Sequence, residues 1–487
     1  MRITKFYKTS WLIYLAAGLM IVQSLSCKKF LQVQPRDYMF EEEAFSTKKG
    51  VQSVLNGIYQ SLSDSMLYGQ MLTITASENM AQYYFVYQSG LANIFGEFIY
   101  TEARGKNVLD NVWSRSYQTI LGINNFCSRL EDPAFNVIPA AERNMMLGEA
   151  YAIRAFLHFD LLRLFGPVYA KDPGNLAIPY MRKTTRTAQP LLAAGKVVDE
   201  VLHDLDIALV LLGEDPVRTK GPDWTTISGE GQSIDYFSNR QRRMNYFAVK
   251  ALIARVQLYA GRKQDAWNTV QSVIMEQEAF FPWLTEPDFS KDPMLSKESF
   301  FGIENRELYD YYRQLFSPLL SDNNILTPKP AKLDAMYNPA SKDLRLRYWF
   351  KVGLEGDKTY KVFIKFSNTT VTNKALRYYQ PLIRKSELYL IAAETSPDLE
   401  KGYYYLNSLR VNKGLPPVEY QPGNAPAELI KKIQEEYQRE FIGEGQLFYM
   451  FKRFNLPSIQ SMSGVSSIPM EDRKYVPPIP DDESYYR

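Results

Sequence analysis

Two cysteines and two histidines are all that the 487 residues hold of the side chains that most often bind zinc. Cys27, Cys127, His158 and His203 are too few and too far apart for a Cys/His site of ordinary spacing, so no metal is expected. Net charge is small as well. The value of +3 comes from Arg2, Lys5 and Lys8, without which the 57 basic residues fall to the 54 acidic ones. A neutral body lacks the basic footprint of phosphate-backbone binding, which argues against nucleic acid as a partner. The G-x-x-x-x-G-K-[ST], G-x-G-x-x-G, G-x-S-x-G, H-E-x-x-H and EF-hand patterns are all missing, and nothing calls for a cofactor. What is abundant is aromatic: Tyr 34, Phe 27 and Trp 6 make up 14% of the chain. An excess of Tyr is expected of a surface that meets sugars, peptides or another protein.

The first residues address the chain. Positive charge at 2–8, an apolar run at 11–22 and small residues at Ser24 and Ser26 form a secretory signal layout. The run spans only about 18 Å as a helix, short of the roughly 30 Å of hydrocarbon that a membrane span must cross. Ser24-Leu25-Ser26-Cys27 looks like a bacterial lipobox, in which the Cys27 thiol takes lipid and becomes the mature N-terminus. Lipid there leaves Cys127 without a disulfide partner, and Ile120, Leu121, Ile123 and Phe126 around it read as a buried helical face. The expected organisation is a signal peptide at 1–26, a lipidated tether at 27–45 and a body at 46–487.

Helical periodicity dominates that body. After Ser46 or Thr47 as N-cap, Val51, Val54, Leu55, Ile58 and Leu62 form one stripe, and Val198, Val201, Leu202, Leu205, Leu209 and Leu212 repeat it before Gly213. Stretches 148–166, 248–274 and 384–414 combine helical spacing with small residues. In the middle one, Ala254 and Ala266 lie on either side of a turn at Gly261, a spacing that matches tetratricopeptide repeats. The third has Tyr405 where a small residue belongs, and a set of unrelated amphipathic hairpins is the competing reading. The fold class expected is mostly α, with tetratricopeptide-like repeats, long irregular loops at 64–112, 167–196, 213–245 and 275–383, and minor β structure near Tyr360–Phe366.

Candidate chemistry is of two kinds. A glycosidase needs two suitably spaced acids and no local motif, so Glu149, Glu387, Glu394, Glu440 and Glu444 are candidates, with helix-surface or Arg-paired roles as the alternative. His158 and His203 sit inside helical stripes and read as structural. The aromatic loop residues Tyr83, Tyr84, Phe85 and Tyr87, then Trp224, then Tyr309, Tyr311 and Tyr312, are the candidates for stacking on a ligand. Rings filling the cores of their own loops, or meeting a partner protein, are the alternative.

Taken together, several segments resemble the SusD/RagB family of nutrient-binding outer-membrane lipoproteins. They are the lipobox with Phe30, Leu31 and Pro35; Asn56-Gly57-Ile58-Tyr59; Arg154-Ala155-Phe156 leading to Phe165-Gly166; and 384–394. Further along come 406–410 with Gly414-Leu415-Pro416, Arg439-Glu440-Phe441-Ile442-Gly443-Glu444-Gly445, and Pro478-Ile479-Pro480-Asp481-Asp482-Glu483. The resemblance implies a non-enzymatic helical body, with a C-terminal family-type half at about 300–487. It would be anchored by lipid in the outer membrane and displayed on the cell exterior, where it captures a glycan or peptide and passes it to a SusC-like TonB-dependent transporter. A lipid-anchored hydrolase and a protein-binding repeat scaffold are the rival functions. Two departures stand out: Gln446-Leu447-Phe448-Tyr449-Met450-Phe451 is more apolar than the family pattern, and Lys28-Lys29 replaces the acidic residues often found after the lipidated Cys. Family ligand residues lie in variable loops, so none transfers by position.

Overall fold

The computed structural model describes residues 41–85, 90–222, 236–353, 355–367 and 378–485. The signal segment and Cys27 lie outside the described residues, as do Tyr87 and Trp224. The chain divides into the units Met1–Val51 and Gln52–Arg487. Thr47 precedes the first long helix, α1 (Lys48–Leu62), and its Oγ1 accepts a hydrogen bond from Gly50 N at 3.0 Å, acting as the cap that the sequence offered. Two short helices follow, α2 (Ala76–Met80) and α3 (Leu91–Gly96), then the long α4 (Ala103–Leu130) and α5 (Ala140–Phe165).

Helical hairpins build the scaffold. α5 packs on α6 (Ala194–Leu211), and α7 (Tyr246–Tyr259) packs on α8 (Lys263–Gln277). After the short α9 (Leu308–Leu315), α10 (Lys385–Thr395) packs on α11 (Leu399–Asn412), and α12 (Pro426–Glu440) and α13 (Leu447–Phe454) follow. Neighbouring hairpins join through α6 with α7 and α8 with α10, as stacked repeats do. The anticipated tetratricopeptide-like spacing is present in the second hairpin, where Ala254 and Ala266 are fully buried and Gly261 turns the chain at φ +73°. In the third, Tyr405 is not the close-approach residue. Its hydroxyl donates to Gln271 Oε1 at 2.8 Å across the hairpin boundary, while Gly402 supplies the small position. A Cβ at Gly402 would lie 2.5 Å from Leu429 Cδ2 and 3.0 Å from Ala393 O.

Among the described residues the β structure is four two-stranded antiparallel ladders: β1 (Leu176–Ile178) with β2 (Leu192–Ala193), β3 (Ser299–Glu304) with β6 (Tyr379–Arg384), β4 (Phe350–Lys351) with β5 (Val362–Phe363), and β7 (Ser458–Gln460) with β8 (Ser467–Pro469). The strand expected over Tyr360–Phe366 is thus confined to two residues. Two of the long loops are also less irregular than expected. Segment 64–112 contains α2, α3 and the start of α4, and 275–383 contains α9, so Tyr309, Tyr311 and Tyr312 sit on a helix. Helices of five to eight residues carry too few turns for an apolar period to register. No helix among the described residues is long and apolar enough to cross a membrane. Cys127 is buried on α4 as a free thiol, as its neighbours implied.

Candidate ligand-binding cleft

The five candidate acids are all held by cations. Glu149 accepts from Arg240 Nη1 at 2.5 Å and from the Tyr59 hydroxyl at 2.8 Å. Glu387 takes Arg255 in a fork at 2.7 and 2.6 Å, and Glu394 takes Arg453 likewise at 2.5 and 2.7 Å. Glu440 lies between Arg384 at 2.5 Å and Arg345 at 2.8 Å; Glu444 lies between Lys365 at 2.6 Å and Arg384 Nε at 2.8 Å. Burial alone would raise the Glu440 carboxyl, but Lys413, Arg384 and Arg345 outweigh it and hold that group well below the usual carboxylate range. A general acid needs the opposite shift and an open approach, and these buried groups build the core instead. Glu78 goes the other way: burial pushes its carboxyl up to about 8, although Gly443 N and Gly445 N both donate to it.

Histidine is equally structural. His158 is fully buried, with Nδ1 bonded to Arg154 O at 2.9 Å and Nε2 accepting from Met181 N at 3.0 Å, and its ring stacks on Tyr180 at 3.9 Å. Arg154 beside it forks onto Asp204 at 2.7 and 2.8 Å. His203 is exposed on α6.

The aromatic candidates divide. Tyr83 and Tyr84 are buried and present no ring face to solvent, which corrects their reading as a stacking surface. Gln82 just before them adopts a left-handed φ of 63° and donates to Gly96 O at 2.7 Å, turning the chain inward. The Tyr83 hydroxyl then donates to Gln438 O at 2.7 Å, and the Tyr84 ring meets Phe316 edge-on at 5.4 Å. Phe85 is half-buried, with Lys329 Nζ 3.4 Å from its ring centre. On α9, Tyr309 and Tyr312 are near-parallel at 6.2 Å, and Tyr309 and Tyr311 stay half-exposed.

What the sequence did not single out is a cleft of about 270 Å³ that ends at α9. Gln70, Thr75 and Asn79 form one wall, Leu91 and Phe95 of α3 another, and Leu315, Asn323, Asn324 and Leu326 the third. Among the described residues, none of its lining side chains carries a formal charge. Asn79 is 2% exposed; its Nδ2 donates to Thr75 O at 2.9 Å, while Oδ1 has no protein partner. A buried amide oxygen left in this way costs free energy unless something donates to it. Gln70 is set in place from far along the chain, since Asn305 Nδ2 donates to Gly69 O and Gln380 Nε2 to Tyr68 O, both at 2.8 Å. Neutral amides over an apolar floor suit hydroxyl groups, each of which both donates and accepts. Among the described residues no carboxylate lines the cleft.

Comparison with known proteins adds the following. Residues 29–223 match the SusD-like family model described as "Starch-binding associating with outer membrane", and residues 353–482 match that of the SusD family. SusD-like protein P2 of Formosa agariphila is 24% identical, over 93% of each chain. A SusD superfamily protein from Bacteroides thetaiotaomicron has a TM-score of 0.70 at 20% identity, covering 90% of this chain and 98% of its own. A SusD-like carbohydrate binding protein from Bacteroides vulgatus has a TM-score of 0.69 at 17% identity, with 91% and 96% covered. Surface glycan-binding protein A from Bacteroides uniformis has a TM-score of 0.65 at 16% identity, with 90% and 98% covered. At these identities the solved structures speak to the fold.

Proposed function

This chain belongs to the SusD/RagB family, and from that premise we propose that it binds a neutral, hydroxyl-rich oligosaccharide and hands it to a transporter without cutting it. The observation that carries this reading is the uncharged cleft, with the unpartnered Asn79 Oδ1 in its wall and Gln70 and Asn324 beside it. Sugar hydroxyls satisfy such amides, and Leu91 and Leu315 offer apolar contact to the ring faces. The names of the Bacteroides neighbours and the starch-binding family description point the same way. The five paired glutamates favour binding over hydrolysis.

The family and the sequence of residues 1–45 support the following placement. The signal peptide at 1–26 is removed, Cys27 is acylated, the tether to residue 45 spaces the body at 46–487 from the outer membrane, and a SusC-like TonB-dependent barrel receives the ligand. Acyl chains anchor at about 0.8 kcal/mol per buried methylene, so two or more hold the protein stably.

Titration calorimetry of the mature lipoprotein against neutral oligosaccharides and against peptides tests the binding step. Gln70→Ala combined with Asn324→Ala is expected to weaken oligosaccharide binding at least tenfold without changing the melting temperature. Unchanged affinity, or a preference for peptides, would remove the cleft from consideration, and released reducing ends would revive the hydrolase.

A further inference from the structure

A second cleft, of about 410 Å³, has the opposite electrostatic character. It lies between residues 337–343, Arg410 on α11, the turn Gly414–Pro416 and Arg439 at the end of α12. Three cations line it: Lys342, Arg410 and Arg439.

The lining carboxylate, Asp343, is fully committed. It is 1% exposed, forks onto the buried Arg345 at 2.9 and 2.7 Å, and also accepts from Arg345 N at 2.9 Å. Behind the wall, Glu436 is shared three ways. Its Oε1 accepts from Arg410 Nη1 at 2.6 Å and from Arg439 Nη1 at 2.8 Å, while Oε2 accepts from Arg345 at 2.9 Å. The remaining acid nearby, Glu435, is 3.7 Å from Arg439 Nη2 and is divided with Lys432. Lys342 is exposed and has no ion-pair partner among the described residues. Ser341 adds a buried hydroxyl with no partner.

The donor count decides the chemistry. A guanidinium carries five N–H groups. Arg410 spends its own on Glu436 and Pro416 O, and Arg439 on Glu436 and Met336 O, which leaves N–H groups unused on both. The cleft therefore presents positive charge and spare donors with no uncommitted carboxylate among the described residues, in a volume within the usual range of small-ligand sites. We infer that this cleft is a separate subsite for a carboxylate-bearing ligand residue, taking a uronate or a peptide C-terminus through Lys342, Arg410 and Arg439. A guanidinium pair matches the two oxygens of such a group, and Lys342 adds charge at the mouth. This inference stands apart from the neutral cleft, because the two share no lining residue.

The test is calorimetry on the mature lipoprotein at low and moderate salt, with two pairs of probes: tri-galacturonate against its methyl ester, and tri-alanine against its C-terminal amide. In at least one pair the free acid is expected to bind tenfold or more tightly than its neutral partner, and the pair that responds identifies the source of the carboxylate. Lys342→Gln is expected to weaken that binding several-fold and Lys342→Glu at least tenfold, with melting temperatures unchanged, since the exposed Lys342 side chain makes no hydrogen bond or ion pair among the described residues. Gln70→Ala with Asn324→Ala should leave it intact, which separates this subsite from the neutral one. Equal binding of acid and neutral forms, no binding of either acid, or indifference to Lys342→Glu would overturn the inference.

Discussion

His158 provides a sharp test of how the hairpin scaffold responds to acid. Burial dominates its titration and pulls the imidazole from its ordinary 6.5 down to about 3. Met181 N–H donates to Nε2, so the single proton sits on Nδ1, facing Arg154 O. A second proton would set two donors against each other and loosen the segment at 179–182. That segment also carries the Tyr180 hydroxyl on Asp204 at 2.6 Å, the Tyr117 hydroxyl on Pro179 O at 2.8 Å, and Asn124 Nδ2 on Met181 O at 3.0 Å. The folded pKa is depressed, so the unfolded chain binds the proton first. The stability is fully present above pH 6.5 and is lost as pH falls towards 3. At pH 4.5, two units below the ordinary value, the loss is roughly 3 kcal/mol at about 1.4 kcal/mol per unit. His158→Gln keeps an oxygen for Met181 N–H and has no proton to gain. Urea unfolding followed by circular dichroism should therefore show the wild type losing about 2–3 kcal/mol more than this variant between pH 7 and 4.5. Parallel pH profiles for the two proteins would refute the reasoning.

Other perturbations probe other parts of the fold. Glu440→Gln leaves Arg384 and Arg345 short of one buried anion each and is expected to cost about 3–5 kcal/mol in the same unfolding assay. Gly402→Leu drives a side chain into Leu429 and Ala393 O and should cost about 1–3 kcal/mol. Gly57→Ala, on the exposed face of α1 with nothing within 4 Å of the new methyl group, should add about 0.5–1 kcal/mol as its counterpart. Cys27→Ser should move the protein out of the membrane fraction on cell fractionation.

The motifs that carried the family resemblance are legible because they do local, repeated work. Arg154 of Arg154-Ala155-Phe156 ties α5 to α6 through Asp204, and Phe165-Gly166 closes α5, where Lys452 Nζ donates to the carbonyls of Arg163, Leu164 and Gly166 at 2.8, 3.0 and 2.7 Å. Such a donor satisfies the unpaired carbonyls at a helix end. Arg384 before α10 meets both Glu440 and Glu444, so the two C-terminal motifs are halves of one ion-pair network. The neutral cleft had no comparable signal. Asn324 comes from a stretch of the chain far from Gln70 and Asn79, amides at those positions form no recognisable spacing, and the backbone just before Gln70 is fixed by Asn305 and Gln380, more than two hundred residues away.

The Tyr excess was the feature most open to misreading, and the fold suggests why. The last turn of a helix and the segments between helices leave backbone carbonyls that must find donors once buried. A Tyr can place its ring in the core and reach such a carbonyl with its hydroxyl. Tyr83 does so to Gln438 O at 2.7 Å, Tyr337 to Arg439 O at 2.6 Å, Tyr100 to Lys474 O at 2.7 Å and Tyr475 to Leu456 O at 2.9 Å. These four Tyr thus brace helix ends and the backbone between helices. Tyr83→Phe separates the two roles: losing the strut leaves Gln438 O unpaired and should cost about 1–3 kcal/mol of stability, while oligosaccharide affinity stays the same. A tenfold loss of affinity at unchanged stability would return Tyr83 to the binding surface and make the bracing argument wrong where it is most directly stated.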